Sequence, residues 1–324
     1  MSNSPILSVR GLRKSFSIGR GWGSRAGDLE AVAGVDLDLH PGEVLGIVGE
    51  SGSGKTTLGR CILRLVRPSG GEVTLDGLDF LSVRGRKLRR RRRRLGVVFQ
   101  NPYSSLNPRM QTGQIVAEPL RARGEMSRGA MSEKVVDLLE RVGIEPRLMS
   151  RYPHQLSGGQ RQRIAIARAL ATDPDVLVAD EPVSALDVSV QAQILNLLLE
   201  LKREGRLAML FISHDLAVVE RVADRISVMY AGRIVESART DRLISHPLHP
   251  YSQALLSAVP SVDPTLPRER LRLRDDSSGR GHSGCPMAGR CPIAQDECRS
   301  EMPRLEPVTP GHVVACHMAR VQAD

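Results

Sequence analysis

Aromatic residues are scarce in this sequence, at 3% of its 324 residues, so a surface that stacks bases or rings has little to build on. Long apolar runs are also missing. The run at residues 207–212 is far shorter than the roughly 18 residues of a candidate membrane-spanning helix. The first sixteen residues show no apolar core before a small-residue cleavage site, which predicts no secretory signal. We expect a cytoplasmic protein that works at a membrane only through partners.

Positive charge is plentiful but confined to one segment. The formal net charge is +10, and residues 84–94 hold nine cations and no acid, which leaves the remainder of the chain near +1. The composition is otherwise that of an ordinary soluble protein, with 41% hydrophobic and 25% charged residues. The arginine run is compatible with a solvated basic face, with a contact for lipid head groups or an acidic partner, or with a nucleic-acid contact.

A glycine-rich turn follows a short apolar strand predicted at residues 44–48 and opens into a helical pattern. The spacing of Gly49, Gly54, Lys55 and Thr56 matches the phosphate-binding loop, in which glycines let backbone N–H groups surround phosphate oxygens at a helix N-terminus. Lys55 is predicted to reach the β- and γ-phosphates, and Thr56 to ligate Mg²⁺. The predicted nucleotide contacts are Gly49, Glu50, Ser51, Gly52, Ser53, Gly54, Lys55, Thr56 and Thr57.

Two acids end a second apolar strand, predicted at residues 176–179. Carboxylates at the carboxyl end of a buried parallel strand face the ligand crevice. Asp180 is therefore predicted to coordinate Mg²⁺, and Glu181 to act as the base that polarises the attacking water. His214 follows another predicted strand, at residues 208–213, and is predicted to contact the γ-phosphate.

The remaining patterns fit an α/β protein with added parts. Alternating residues predict antiparallel strands at 6–16 and 31–40, and a hairpin at 224–237. Apolar residues at helical spacing predict an inserted helical subdomain over 118–151. The segment LSGGQ at 156–160 precedes a helix and forms a second potential anion site.

Taken together, these motifs resemble an ATP-binding cassette (ABC) ATPase over about residues 6–260. The matching segments, in the family's order, are GESGSGKT at 49–56, Gln100 in VVFQ, LSGGQ at 156–160, VLVADEP at 176–182, SALD at 184–187 and His214 in FISHD. The resemblance implies a P-loop NTPase fold with a mixed sheet, an antiparallel β-subdomain and a helical subdomain at about 101–160. It places the cassette at 1–260 and a small extension at 261–324.

The resemblance also implies roles that spacing alone does not give. Two cassettes of this family sandwich two ATP molecules, so the signature residues Ser157, Gly158, Gly159 and Gln160 are expected to act on the nucleotide of the facing cassette. Gln100 is expected to sense the γ-phosphate and to join Thr56 and Asp180 around Mg²⁺. Asp187 is expected to contact the facing cassette, and Phe16 to stack on adenine.

Three further segments narrow the resemblance to the ATPase subunits of dipeptide, oligopeptide and nickel importers. These are FQNPYSSLNPRM at 99–110, Glu118-Pro119-Leu120, and HPLHPYSQALLSAVP at 246–260. They imply a peripheral subunit on the cytoplasmic membrane face, with a second, non-identical cassette, two permeases and an extracytoplasmic binding protein. Nucleic acid is not expected as a partner. The alternatives are a soluble ABC ATPase acting on nucleic acid, which only the arginine run favours, and an exporter ATPase.

Four of the five cysteines lie close together near the C-terminus, at Cys285, Cys291, Cys298 and Cys316. In a cytoplasmic chain such clustering favours metal over disulfides. The spacing C-x5-C-x6-C-x17-C leaves zinc, an iron–sulfur cluster, and free or oxidised thiols open. The importer resemblance implies a [4Fe–4S] cluster. His312 and His317 are further candidate ligands.

Overall fold

The computed structural model describes residues 4–18, 27–124, 126–205, 207–258, 273–274 and 283–319. The fold divides into two compact units that alternate along the chain. Unit 1 comprises the described parts of Met1–Ser8, Asp38–Val44 and Thr74–Ile212. Unit 2 comprises the described parts of Val9–Leu37, Leu45–Val73 and Ser213–Asp324.

The strands are numbered in chain order. They are β1 (Leu7–Ile18), β2 (Gly27–Leu39), β3 (Val44–Val48), β4 (Gly70–Leu75), β5 (Leu78–Asp79), β6 (Leu95–Val98), β7 (Val176–Asp180), β8 (Ala208–Ser213), β9 (Arg225–Tyr230), β10 (Arg233–Arg239), β11 (Glu306–Thr309) and β12 (His312–Val314). The predicted strands at 6–16, 31–40, 44–48, 176–179 and 208–213 are thereby confirmed.

The α-helices are numbered in the same way. They are α1 (Lys55–Ile62), α2 (Gly85–Arg92), α3 (Pro102–Ser105), α4 (Thr112–Arg123), α5 (Arg128–Arg141), α6 (Gly158–Leu170), α7 (Val188–Arg203), α8 (Leu216–Glu220), α9 (Thr240–Ser245), α10 (Pro250–Ala258) and α11 (Asp296–Ser300). Short 3-10 helices cover Pro146–Ser150 and Pro153–Gln155. In the part of the chain that the structure describes, no helix has the length and apolar character needed to cross a membrane.

Unit 1 is built on three parallel strands in the order β6, β7, β8, with Leu177 opposite Met209 in the register of the last pair. Every residue of β7 and β8 is buried, as expected for strands covered on both faces. Helix α6 packs against α3, α4 and α5 and also contacts β6. Helix α4 starts at Thr112, ahead of the apolar pattern at 118–151 but inside the range of about 101–160 that the resemblance implies. The Gln114 side chain accepts the Gln111 N–H at 3.1 Å and caps the helix.

Unit 2 carries a second run of strands. β3 pairs in parallel with β9, and β9, β10, β12 and β11 follow as antiparallel neighbours. The predicted hairpin is confirmed, with Tyr230 opposite Arg233 and positive φ at both turn residues, Ala231 and Gly232. Strands β11 and β12 come from the proline-rich C-terminal segment, where the sequence showed only weak periodicity.

The arginine run forms the short helix α2, in which no residue is buried. Two of its members bind locally: Arg91 donates to the Asp79 carbonyl, and Arg94 pairs with Asp76 at 3.1 Å and with Asp175. The exposed Arg84, Arg86, Lys87, Arg89 and Arg90 have no acidic partner among the described residues. Such exposure is expected of a solvated basic face and equally of a surface that contacts lipid head groups, an acidic partner or nucleic acid.

A buried carboxylate joins the C-terminal segment to the sheet of unit 2. Glu236 of β10 is fully buried and accepts hydrogen bonds from the Leu248 N–H at 2.8 Å, the His249 N–H at 3.0 Å and His312 Nε2 at 2.7 Å. A buried charge is tolerated only when donors replace its lost hydration. Three donors from two segments therefore tie β12 and the start of α10 to β10. His312 is consequently engaged away from the cysteines, contrary to its candidacy as a metal ligand.

His249 provides a pH-dependent contribution to this cluster. Its side chain is 2% exposed and its Nδ1 accepts the Tyr251 N–H at 3.1 Å, which requires an unprotonated Nδ1. Burial lowers the pKa of His249 from 6.5 to about 4, although Glu236 opposes this effect. The unfolded chain thus binds the proton first as the pH falls, and the free energy of unfolding should decrease between pH 6.5 and 4.

We expect His249→Asn, whose amide oxygen can accept the same N–H, to flatten this pH dependence. The wild type should lose roughly 3 kcal/mol more than the variant between neutral pH and pH 4, at about 1.4 kcal/mol per unit of pKa shift. Urea titrations across this range measure the difference. His246→Asn, which removes an exposed histidine three residues away, is the matched control. Parallel profiles for wild type and His249→Asn would contradict the assignment.

Candidate nucleotide-binding site

The phosphate-binding loop lies in unit 2 between β3 and α1. Its glycines are required by close backbone contacts: a Cβ on Gly49 would lie 2.2 Å from the Met229 carbonyl oxygen, and one on Gly54 would lie 2.1 Å from the Ala31 carbonyl oxygen. Both residues also have positive φ, at 156° and 106°. The loop can therefore adopt this path only with glycine at these two positions.

Lys55 is the first residue of α1 and is 4% exposed. Its Nζ donates to the carbonyl oxygens of Gly49 at 2.6 Å and Glu50 at 2.9 Å, and to Ser53 Oγ at 3.3 Å. The ammonium group thus lies inside the loop, where a phosphate could compete for its protons. Thr56 and Thr57 follow, half-buried, on the first turn of the helix.

The outer side of the same loop is held by residues to which the sequence interpretation gave no role. The Glu50 N–H donates to Tyr251 Oη at 2.7 Å, and Arg290 pairs with the Glu50 carboxylate at 3.0 Å. Tyr251 belongs to the 246–260 motif that narrowed the family resemblance. The sequence therefore marked the segment, but not the hydrogen bond between Tyr251 and Glu50. Arg290 carried no sequence signal.

Outside the loop, the predicted site residues His214 and Phe16 of unit 2 are exposed. His214 lies between β8 and α8, where Asp215 caps the helix by accepting the Ala217 N–H at 2.9 Å. Phe16 of β1 is 41% exposed, and Lys14 Nζ lies 4.7 Å from its ring centroid. Their proposed contacts with the γ-phosphate and adenine stay predictions.

In unit 1, the structure brings Gln100 and Glu181 together. Asp180 ends β7, Glu181 follows it, and the two are 5% and 9% exposed. Gln100 Nε2 donates to Glu181 Oε2 at 2.7 Å. Glu181 has a φ of 48°, which is unfavourable for a residue with a Cβ, and its N–H is held by the Ile212 carbonyl at 2.8 Å. Such a conformation fixes the direction of the carboxylate at the end of the strand.

The LSGGQ segment forms a reciprocal cap on α6 in unit 1. Ser157 Oγ accepts the Gln160 N–H at 3.2 Å, and the Gln160 side chain accepts the Ser157 N–H at 3.0 Å. Asp187 caps α7 in a similar way by accepting the Val190 N–H at 3.0 Å, a bond that lowers the pKa of Asp187. A Cβ on Gly159 would lie 2.6 Å from Val190 Cγ1, so the signature packs closely on the start of α7.

The C-terminal cysteines converge in unit 2. All four line one cavity of about 20 Å³, together with His317. Burial raises the pKa of Cys285 and Cys291, and raises that of Cys316 to about 11, which favours the protonated form of these three thiols. Within residues 283–319, no group of three or more such side chains has the arrangement of a metal site. The four cysteines suffice in number for a metal group held by four thiolates, and they line the same cavity. Their sulfur atoms do not, however, have the arrangement of ligands around a metal.

Comparison with known proteins gives matches to two family models, described as "ABC transporter" over residues 32–184 and "Oligopeptide/dipeptide transporter, C-terminal region" over residues 235–298. A putative peptide import ATP-binding protein of Brucella ovis is 49% identical over 98% of both chains. The dipeptide transport ATP-binding protein DppF of Haemophilus influenzae is 46% identical over 97% of both chains.

Solved structures agree in fold. The ATP-binding cassette MJ0796, described as a dimeric post-hydrolysis state bound to ADP and Pi, is 32% identical, with a TM-score of 0.64, over 72% of this chain and 98% of its own. The protein cbiO1 of Clostridium perfringens is 29% identical, with a TM-score of 0.65, over 75% of this chain and 92% of its own. The predicted P-loop NTPase cassette fold is confirmed, and the chain belongs to the ABC transporter family.

Proposed function

We propose that this chain is the ATP-hydrolysing subunit of an ABC importer and energises the uptake of di- and oligopeptides through partner permeases. The observation that carries the proposal is the near full-length match to peptide import ATP-binding proteins, including the separate C-terminal model over residues 235–298. Nickel is the alternative cargo. The proposed division is a cassette at 1–260, with a helical subdomain at about 101–160, and an extension at 261–324.

The residues of unit 2 bind the phosphates in this proposal. Backbone N–H groups of the loop and Lys55 Nζ attract the phosphate oxygens, and Lys55 exchanges its present carbonyl partners for them. Thr56 and Asp180 would hold Mg²⁺, which neutralises phosphate charge when bound. His214 would contact the γ-phosphate, and Phe16 would stack on the base.

The residues of unit 1 supply the chemistry. Glu181 accepts a proton from the attacking water, and the hydrogen bond from Gln100 to its Oε2 orients the carboxylate. Ser157, Gly158, Gly159 and Asp187 would face the nucleotide and surface of a second cassette. The dimeric state described for MJ0796 supports such a pairing. A non-identical partner cassette is part of the proposal.

An open groove in unit 1 offers a place for a permease. It measures about 620 Å³ and is lined by apolar side chains, including Phe99 and Pro119, and by arginines, including Arg89 and Arg168. Phe99 directly precedes Gln100, whose amide contacts Glu181. A permease segment seated in the groove would therefore contact the strand end that positions the base. The proposal includes a peripheral position on the cytoplasmic membrane face and an extracytoplasmic binding protein on the other side.

Substitution of Glu181 by Gln should keep ATP binding and abolish turnover. Loss of general-base catalysis corresponds to roughly a 10²- to 10⁴-fold decrease in the rate of hydrolysis. Steady-state ATPase assays and equilibrium ATP binding separate the two effects. Glu140→Gln, which neutralises an exposed acid on α5, should hydrolyse ATP at the wild-type rate. Near-normal turnover by Glu181→Gln would exclude the assigned role.

Co-reconstitution tests the transport function. With two partner permeases and a partner cassette in liposomes, and with the binding protein added, peptides should stimulate ATP hydrolysis and accumulate inside. Dipeptides, longer peptides and nickel should be offered separately, because the cassette need not touch the cargo. ATPase activity that no permease or solute changes, combined with salt-sensitive RNA or DNA binding, would favour the soluble alternative.

We propose further that Cys285, Cys291, Cys298 and Cys316 hold a [4Fe–4S] cluster. What supports this is their convergence on one cavity as free thiols. Thiolate ligation is the usual way in which proteins hold such clusters, and the four thiols would have to lose their protons to bind one.

Anaerobically purified full-length protein should contain about four irons per chain and absorb broadly near 400 nm, as a [4Fe–4S] cluster requires. Cys298→Ser should lose the iron, whereas Cys61→Ser, which removes the remote cysteine of α1, should retain it. One zinc per chain without iron would contradict the cluster and support a zinc site. Protein without metal and with all four thiols reactive towards a thiol reagent would contradict both metal sites and support free cysteines.

A further inference from the structure

The C-terminal region matched over residues 235–298 contacts the phosphate-binding loop from outside. Tyr251 Oη accepts the Glu50 N–H at 2.7 Å. Arg290 spans the Glu50 carboxylate, with Nη1 at 3.0 Å from Oε2 and Nη2 at 3.3 Å from Oε1. One loop residue is thus held through its backbone by one side chain and through its carboxylate by another.

The two holding side chains are themselves fixed. Tyr251 is fully buried, and its ring lies 4.7 Å from that of Tyr230, measured between centroids. The Arg290 guanidinium lies 5.9 Å from the Tyr230 ring centroid, and its bond to Glu50 raises its pKa. We name Tyr251 and Arg290 the C-terminal brace.

The brace acts on the same residue that Lys55 holds from inside. Lys55 Nζ donates to the Glu50 carbonyl at 2.9 Å, and this contact has to loosen when phosphate oxygens attract the ammonium group. Arg290 engages only the Glu50 carboxylate, and Tyr251 engages only the Glu50 N–H, so the N–H groups of the later loop residues and the Lys55 ammonium group are left for phosphate. The two side chains can therefore keep the entrance of the loop in place while its inner contacts are exchanged.

We propose that Tyr251 and Arg290 are positioning residues for ATP, which hold Glu50 so that the phosphate-binding loop keeps its receptive path. The inference rests on the proposed ATPase function and assigns the C-terminal region a part in nucleotide affinity. Arg290 immediately precedes Cys291, and the backbone N–H groups of these two residues both donate to the Met287 carbonyl at 2.9 Å. The turn that carries Arg290 is therefore also the turn that lines the cysteine cavity.

The expected effects are moderate, because Arg290 and Glu50 are 27% and 45% exposed and water screens their charges. Arg290→Ala should raise the KM for ATP about two- to fivefold, the range of a partly exposed ion pair. Tyr251→Phe, which deletes one buried acceptor and keeps the ring, should raise it about fivefold. The value of kcat should be unchanged in both variants, because the contacts to Glu50 are the same in the ATP-bound ground state and in the transition state.

The experiment measures ATP KM, kcat and calorimetric ATP binding for the full-length chain, together with its Tm. Arg299→Ala, which removes an exposed arginine of the same region, is the matched control and should behave as wild type. Glu50→Gln combined with Arg290→Ala should be no worse than the more impaired single variant, because each change breaks the same ion pair.

Wild-type KM in both Arg290→Ala and Tyr251→Phe would overturn the inference, as would additive effects in the Glu50 and Arg290 double variant. A fall in Tm with unchanged ATP affinity would also overturn it, because the contacts would then be structural only. These outcomes are distinct from failure of the proposed function, in which the wild-type chain itself would neither bind nor hydrolyse ATP.

Discussion

The close approach of the phosphate-binding loop to neighbouring backbone is the constraint on which the site depends. Gly49 and Gly54 lie where any Cβ would enter the space of the Met229 and Ala31 carbonyl groups. This contact sets the path of the loop and allows Lys55 to bond to its carbonyl oxygens at 2.6 and 2.9 Å. The path of the loop is thus set by contacts within the protein, and nucleotide binding need not bear the full entropy cost of ordering it.

A comparable preorganisation is present in unit 1. Glu181 keeps a left-handed backbone conformation because its N–H is bonded to the neighbouring strand, and Gln100 fixes its carboxylate. The helix caps at Ser157 and Asp187 likewise satisfy the backbone donors at the starts of α6 and α7. The proposed site residues are therefore presented at strand ends and helix starts, where side chains are held more precisely than on loops.

The C-terminal region adds a layer to this arrangement. Glu236 anchors it by accepting three hydrogen bonds in a buried position, and Tyr251 and Arg290 extend it to Glu50. The cysteine cavity lies on the turn that also carries Arg290. A segment that the composition alone marks as proline-rich and weakly periodic is in this way connected to the chemistry of the cassette.

The sequence by itself determined the family, the strands β3, β7 and β8, and the phosphate-binding loop, because glycine spacing and short apolar runs are local properties of the chain. It placed Lys55, Glu181 and Gln100 as site residues, but it did not show that Gln100 bonds to Glu181. Only the tertiary structure decided that contact, the engagement of His312 by Glu236 and the brace on Glu50. Glu50 and Arg290 are separated by 240 residues, and no periodicity or spacing links side chains that meet only when distant segments pack.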